Sequence, residues 1–362
     1  MRIVAYLTEP ASYTIDLVKK VHLKNDIAVR YLLHNSFSNS MASSERTIPF
    51  LSQLSIVKRL KLIKHDYKNF DAIIFNGYDS ISFLLLWFVH ITQRTKKPIA
   101  IESDTPLKIP KGLLKRIIKK IYLNYLFKDK YLHGLAGGTL LQKELFRFYG
   151  MSDDRIHFLP MVIDVEKFKF PFPKEKTRPF YFLYVGRFLP LKQIHIILSE
   201  FILQFEGNEH VHLNLVGDGE TYEELVQSYS KYNTITFKGK LEKQQLLDEY
   251  QSSHVLILAS NNENWGLVIN EAMAAGLPVI SNRGIGANHD LILEKETGFI
   301  FNANQKGHLA EKMKLIYEDS NLYQRYAKNA YKLLHEYWNF SLYEKQLLLA
   351  VKNMINAPKN NS

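Results

Sequence analysis

Two glutamates with seven residues between them, Glu263 and Glu271, fall in the stretch where chemistry is most concentrated, NNENWGLVINEAMAAGLPVIS at Asn261–Ser281. A Gly-containing loop, Asn264–Gly266, precedes the helix formers Leu267–Ala275, and Gly276 and Pro278 end the pattern. Glu263 is therefore expected in the loop before a helix and Glu271 in its second turn. A helix start presents unpaired backbone N–H groups and a positive dipole end, which suits a phosphate or diphosphate. Carboxylates on either side can accept hydrogen bonds from sugar hydroxyls. The same spacing also fits a capped, buried helix with a solvated Glu271.

Two cations extend the pattern. Arg187 follows Gly186 at the end of an apolar run, and Lys192 comes five residues later, where a helical pattern begins. The sequence has no obvious Asp-x-Asp metal site, so fixed cations are what would neutralise a leaving diphosphate. The alternative for both is ordinary surface charge. Zero cysteines remove disulfides, thiolate zinc sites, iron–sulfur clusters and cysteine nucleophiles together.

The elements that must position these groups alternate. Apolar, β-branched runs lie at Arg2–Leu7, Ala28–Leu33, Ala72–Gly77, Pro98–Ser103 and Gly134–Gly138, with helical spacing between them. A second series runs Tyr181–Gly186, Val211–Gly217, Ile235–Gly239, Val255–Ser260, Pro278–Asn282 and Gly298–Phe301. This predicts two α/β domains with doubly wound parallel sheets, joined near Asp164–Pro179. Ser341–Ile355 has helical spacing, and the final APKNNS reads as a polar tail. With 362 residues and 46% hydrophobic content, the chain is globular and long enough for two domains.

The stretch resembles the retaining glycosyltransferases of family 4. The resemblance rests on Glu263-x7-Glu271 followed by EAMAAGLPVI. In the same order come YVGRFLPLKQI at Tyr181–Ile194, LVGDGE at Leu215–Glu220, FKGKL at Phe237–Leu241 and GIGANHDLI…TGFIF at Gly284–Phe301. It implies a GT-B fold: two Rossmann-like domains facing a central cleft, an acceptor-binding domain at 1–166, a nucleotide-sugar domain at 167–339, and a C-terminal helix within 340–362 crossing back. It also implies that Arg187 and Lys192 hold the diphosphate, Glu271 the ribose hydroxyls and Glu263 the donor sugar. The backbone near Lys240–Leu241 would hold the base, and Asn264, Trp265, Gly266, Leu267 and Gly217 would complete the donor site. The donor would be a UDP- or GDP-linked sugar, with no metal and no further cofactor. Retention implies that the new bond forms on the face the leaving group vacates, so the two glutamates are not a hydrolase-type acid pair.

The N-terminal half matches the family less closely. LTEPASY replaces the Gly-Gly pair expected after the first strand, and IESDTPL stands where a His-Asp-like pair usually falls. Asp104 is the nearest candidate to touch sugar or acceptor, beside Glu102; a turn aspartate before Pro106 is the alternative. His133 and Thr139 lie near the following strand.

Of the net charge of +11, most sits between Ser52 and Tyr131, where sixteen Lys and Arg face six Asp and Glu. In Gly112–Tyr131, helical spacing places Leu114, Ile117, Ile118, Ile121, Tyr122 and Tyr125 on one face. Lys115, Arg116, Lys119 and Lys120 share the other with Leu123, Leu126 and Phe127. The first face is expected to pack on the domain and the second to meet an anionic bilayer, with Lys58, Arg59, Lys61 and Lys64 extending the patch. Such attachment would suit a lipid-linked acceptor. The expected localisation is cytoplasmic and peripheral to the membrane, since the N-terminus reads as no secretory signal and Ile81–Ile91 is too short to span. Nucleic-acid binding would also suit the charge, but no zinc-finger spacing, aromatic RNA-binding signature or basic heptad region is present. No G-x-G-x-x-G follows the first strand, which speaks against a dehydrogenase. A nucleotide-sugar epimerase on the same fold remains an alternative.

Overall fold

The computed structural model describes residues 1–34, 50–172, 178–293 and 296–357. Residues 173–177 of the expected joint and 358–362 of the expected tail lie outside the described residues. The chain divides into two compact units, Met1–Asp164 with Phe340–Ser362, and Val165–Asn339.

Unit 1 alternates strand and helix in the order β1 (Ile3–Leu7), α1 (Ser12–Leu17), β2 (Ile27–Tyr31), α2 (Ile56–Asn69), β3 (Ala72–Asn76), α3 (Ile81–Thr92), β4 (Ile99–Ser103), α4 (Leu113–Phe127), β5 (Leu132–Ala136), α5 (Leu141–Phe148) and β6 (Ile156–Phe158). All strands are parallel, in the order β2-β1-β3-β4-β5-β6. The strands are near-continuous apolar runs because both faces of the sheet are covered. The forward crossovers put α2, α3, α4 and α5 on one face, where Ile63, Tyr67, Phe83, Leu86, Leu123, Phe127 and Phe146 form one core with the strands. The C-terminal helix, Phe340–Asn356, belongs to this unit. Glu344 accepts from Lys24 Nζ at 3.0 Å and Asn25 Nδ2 at 2.8 Å, and Tyr343 lies buried beside His22. Burial drives the His22 pKa down to about 4.

The helix α4 packs the opposite way from the sequence expectation. Leu123, Leu126 and Phe127 are fully buried, and Phe127 meets the rings of Phe146 at 5.5 Å and Tyr78 at 6.4 Å. Leu114, Ile117, Ile118, Ile121 and Tyr125 face outward, and of the expected packing face only Tyr122 lies against the core, donating to the Tyr78 carbonyl at 2.6 Å. Lys119, expected among the outward cations, turns in and donates to the Lys108 carbonyl at 3.1 Å; burial lowers its pKa. The reason is a choice between two apolar stripes. The sheet takes the one carrying the large ring of Phe127, nearest the turn into β5, and the longer stripe is left outside.

Unit 2 runs β7 (Phe180–Val185), α6 (Ile194–Phe205), β8 (Val211–Val216), α7 (Tyr222–Tyr229), β9 (Ile235–Gly239), α8 (Lys243–Ser252), β10 (Val255–Leu258), α9 (Leu267–Ala274), β11 (Val279–Asn282), β12 (Gly298–Phe301), α10 (His308–Glu318) and α11 (Ser320–Lys332). Its sheet is parallel with the order β12-β11-β10-β7-β8-β9. The order reverses between β7 and β10, and in open α/β sheets ligands bind outside the carboxyl ends of the strands at such a switch point.

Candidate functional site

The loops after β7 and β10 meet at that switch point. After β7 the chain makes a short turn, Pro190–Lys192, and Gln193 takes a left-handed conformation before α6 begins. Asn261 N–H donates to the Leu191 carbonyl at 2.9 Å, tying the two loops together. The Lys192 ammonium and the Glu263 carboxylate form an ion pair with side chains 14% and 19% exposed. Ser260 Oγ donates to the same carboxylate oxygen at 3.1 Å. Glu263 is also fixed through its backbone: Gly286 N–H donates to its carbonyl at 3.2 Å, in a parallel bridge between Glu263 and Ile285. The loop carrying Ile285 is held by buried amides, with Ser281 Oγ donating to Asn288 Oδ1 at 2.6 Å and Asn288 Nδ2 to the Asn282 carbonyl at 2.8 Å.

Gly266 begins α9 at φ +96°, and no side chain caps the helix start. The uncapped N–H groups there are available to an anion. One turn in, Glu271 accepts a hydrogen bond from the buried Tyr250 hydroxyl of α8 at 2.7 Å. Desolvation raises the Glu271 pKa, partly offset by that hydrogen bond. A carboxylate held this way is a directed hydrogen-bond acceptor.

The remaining sequence candidates divide. Arg187 is exposed at the end of β7, with no ion pair among the described residues, while its carbonyl accepts from Tyr184 Oη at 3.0 Å. Gly217 follows β8 at φ +133°; a Cβ there would lie 1.9 Å from the Gly186 carbonyl oxygen, so the loops after β7 and β8 touch through backbone alone. Lys240 and Leu241 lie between β9 and α8, at the same edge of the sheet. The Trp265 indole is interior: it donates to Asn270 Oδ1 at 2.8 Å and stacks on Trp338 at 5.8 Å. Ligand contact from Trp265 is therefore limited to its backbone. Asn264 and Leu267 flank Gly266 on either side of the helix start. Sequence reading missed Tyr250 and Ser260. Ser260 ends the β10 run three residues before Glu263, so a hydroxyl at a strand end was the available signal.

In unit 1 a cavity of about 110 Å³ opens at the carboxyl ends of β1, β3 and β4, lined by Thr8, Glu9, Tyr13, Asn76, Glu102 and Asp104 among others. This is again a switch point, between β1 and β3, and Thr8 Oγ1 donates to Asn76 Oδ1 across it at 2.5 Å. Burial, helped by the nearby Asp104 charge and opposed by the Asn76 hydrogen bond, pushes the Glu102 pKa up to about 7. His133, by contrast, is the second residue of β5 and so lies toward the other end of the sheet, stacked on His157; burial and the second ring lower its pKa to about 3. Thr139 is exposed beyond the far end of β5.

Residues 165–333 match the family model described as Glycosyl transferases group 1. The capsular polysaccharide biosynthesis glycosyltransferase CapM of Staphylococcus aureus is 25% identical over 301 residues, 80% of this chain and 78% of that protein. The sulfoquinovosyl transferase SQD2 of Arabidopsis thaliana is 25% identical over 249 residues, 63% of this chain; the match spans 47% of that relative's length. The solved structure of Anabaena HepE in complex with UDP superposes with a TM-score of 0.76 at 17% identity, covering 97% of this chain and 100% of that one. The lipopolysaccharide outer core galactosyltransferase WaaB gives a TM-score of 0.68 at 17% identity, covering 97% and 99%. The fold is the two-unit α/β architecture of GT-B glycosyltransferases.

Proposed function

We propose that the chain is a retaining glycosyltransferase that moves a sugar from a UDP- or GDP-linked donor to a glycan or lipid-linked acceptor in cell-surface polysaccharide synthesis. The observation that carries this reading is the Lys192–Glu263 pair across the switch point of unit 2, beside the open start of α9 and one turn from Glu271. The group 1 match over residues 165–333 supports the donor side. HepE was solved with UDP and with UDP-glucose, and CapM and WaaB are named for capsular and lipopolysaccharide synthesis, which favours the acceptor class given.

The chemistry follows from charge placement. The acceptor hydroxyl oxygen bonds to the anomeric carbon as the bond from that carbon to the diphosphate breaks, on the same face, and the hydroxyl proton passes to the departing diphosphate oxygen. Negative charge grows on the diphosphate, and the Lys192 ammonium and the N–H groups at the start of α9 stabilise it, with the exposed Arg187 guanidinium adding its charge. In the free protein Lys192 and Glu263 neutralise one another. When a phosphate takes the ammonium, the Glu263 carboxylate is released toward the sugar hydroxyls. Glu271, aligned by Tyr250, holds the ribose, the backbone at Lys240–Leu241 the base, and no metal is required. In unit 1, Asp104 and Glu102 face the acceptor cavity. The enzyme works on the cytoplasmic side, where nucleotide sugars are supplied.

The test is product analysis with UDP- and GDP-sugars and a glycan primer. A new linkage with the donor's anomeric configuration, by NMR, is the expected result. An epimerised free sugar or nucleotide sugar, or an inverted linkage, would overturn the proposal.

A further inference from the structure

We infer that the cavity of unit 1 sorts acceptors by charge: it takes the terminal ring of a glycan when that ring is an uncharged sugar, and Glu102 with Asp104 turns away a ring that bears a carboxylate or phosphate. This rests on the reading of the chain as a glycosyltransferase. With about 110 Å³, the cavity is smaller than the roughly 300–1,000 Å³ of pockets that enclose a whole drug-sized ligand, and so it holds an end group. Part of its lining is acidic, with Glu9 after β1, Glu102 in β4 and Asp104 just beyond it; Leu17, Pro160 and Met161 supply an apolar part. A sugar ring has the matching halves, a hydroxylated edge and C–H faces. Among the described residues no lysine, arginine or histidine lines the cavity, although the chain carries a net charge of +11. Lys20, one turn beyond Leu17, donates instead to Asp164 Oδ1 at 2.7 Å.

The hydrogen-bonding groups point the same way. The Asn76 amide oxygen accepts from Thr8 Oγ1 at 2.5 Å, which turns the amide nitrogen to Glu102 as a donor. Glu102 also faces Asp104 of its own loop and Tyr343 of the C-terminal helix, while Tyr13 of α1 faces Glu9, Glu102 and Asp104. Burial foremost, with the carboxylates adding to it, raises the pKa of both tyrosines, so their hydroxyls stay protonated. The lining thus offers phenol donors beside carboxylate acceptors. A sugar hydroxyl both donates and accepts, and satisfies either kind. A carboxylate or phosphate only accepts, and here it meets like charge with no cation in the lining to offset it. That repulsion is what separates the two classes of acceptor.

The experiment measures dissociation constants on the full chain by saturation-transfer NMR, for the methyl glycosides of glucose, galactose and mannose and for the matching uronides. No donor is present, so the result stands apart from whether a linkage is formed, which product analysis decides. At pH 8 at least one neutral glycoside is expected to bind about thirtyfold or more tightly than its uronide. Glu102 ionises near pH 7, so the preference should widen by about fivefold between pH 6 and pH 8 in the parent and stay flat in Glu102→Gln. In Glu102→Gln/Asp104→Asn it should shrink below about threefold, through a gain in uronide binding that damaged folding does not produce. Three results would each overturn the inference: no neutral glycoside binds the parent, a uronide binds it as tightly as its neutral counterpart, or the preference survives in the double variant.

Discussion

Replacing Lys192 by Met removes the ammonium while keeping the length of the side chain, and its consequences for stability and turnover should separate. The variant leaves the Glu263 carboxylate, 19% exposed, with the Ser260 hydroxyl at 3.1 Å as a partner. Stranding a fully buried charge costs about 3–5 kcal/mol; for a pair with this much solvent contact the cost should be about 1–2 kcal/mol. Turnover should fall by about 10²–10³, because a preorganised group facing developing charge is lost. Adding Glu263→Gln removes the stranded charge. The double variant should regain stability to within about 0.5 kcal/mol of the parent, yet stay as slow as the single variant or slower. Urea unfolding reports the first quantity and nucleoside diphosphate release the second. If Lys192→Met kept turnover within about threefold of the parent, the ammonium would not stabilise the leaving group and the charge argument would fail.

Other outcomes follow from single contacts. Tyr250→Phe leaves the Glu271 carboxylate without its hydroxyl donor, so affinity for whichever of UDP and GDP the parent binds should drop about tenfold by calorimetry, with a larger loss in Glu271→Ala. Glu102 has its pKa raised from 4.5 to about 7. The folded state therefore holds a proton that the unfolded chain releases, and stability should decline as pH rises from 4.5 through 7. Urea unfolding at pH 5 and pH 8 should show that decline, about 3 kcal/mol at most, in the parent and not in Glu102→Gln. Gly217→Ala places a methyl 1.9 Å from the Gly186 carbonyl oxygen at φ +133°, and should cost about 2 kcal/mol or more in the same assay.

Much of this was readable because buried parallel strands are continuous apolar runs bounded by Gly, Asn or Ser. Ile235–Gly239 and Gly298–Phe301 form over the residues expected, and most others shift by one or two. Strand β6 left no comparable signal: Ile156–Phe158 is three residues long, and a histidine lies in its middle. The α4 face was misread because periodicity finds apolar stripes without saying which one a neighbour covers. Only the sheet and Phe146 decide that. The outward residues of α3, Ile81, Leu84, Phe88 and Ile91, were hidden for a related reason, since ISFLLLWFVHI is apolar all round and shows no polar side. At the site, Glu263 and Glu271 were visible through their spacing and the glycine between them. Tyr250 was not, because it reaches Glu271 from a different helix 21 residues earlier. Trp265 was legible only as a loop residue, and its indole points inward because Asn270 and Trp338 provide a polar and an apolar partner there.

The central claim is that the switch point of unit 2 holds a nucleoside diphosphate, and thermal unfolding with UDP, GDP, ADP, CDP and NAD, each at millimolar concentration, tests it most directly. A ligand at a hundredfold excess over its dissociation constant stabilises the native state by about 2.7 kcal/mol. One diphosphate, UDP or GDP, should raise the transition, and the shift should vanish in Lys192→Ala and Glu271→Ala. No shift with any nucleotide, or one that survives both substitutions, would contradict the assignment of this site.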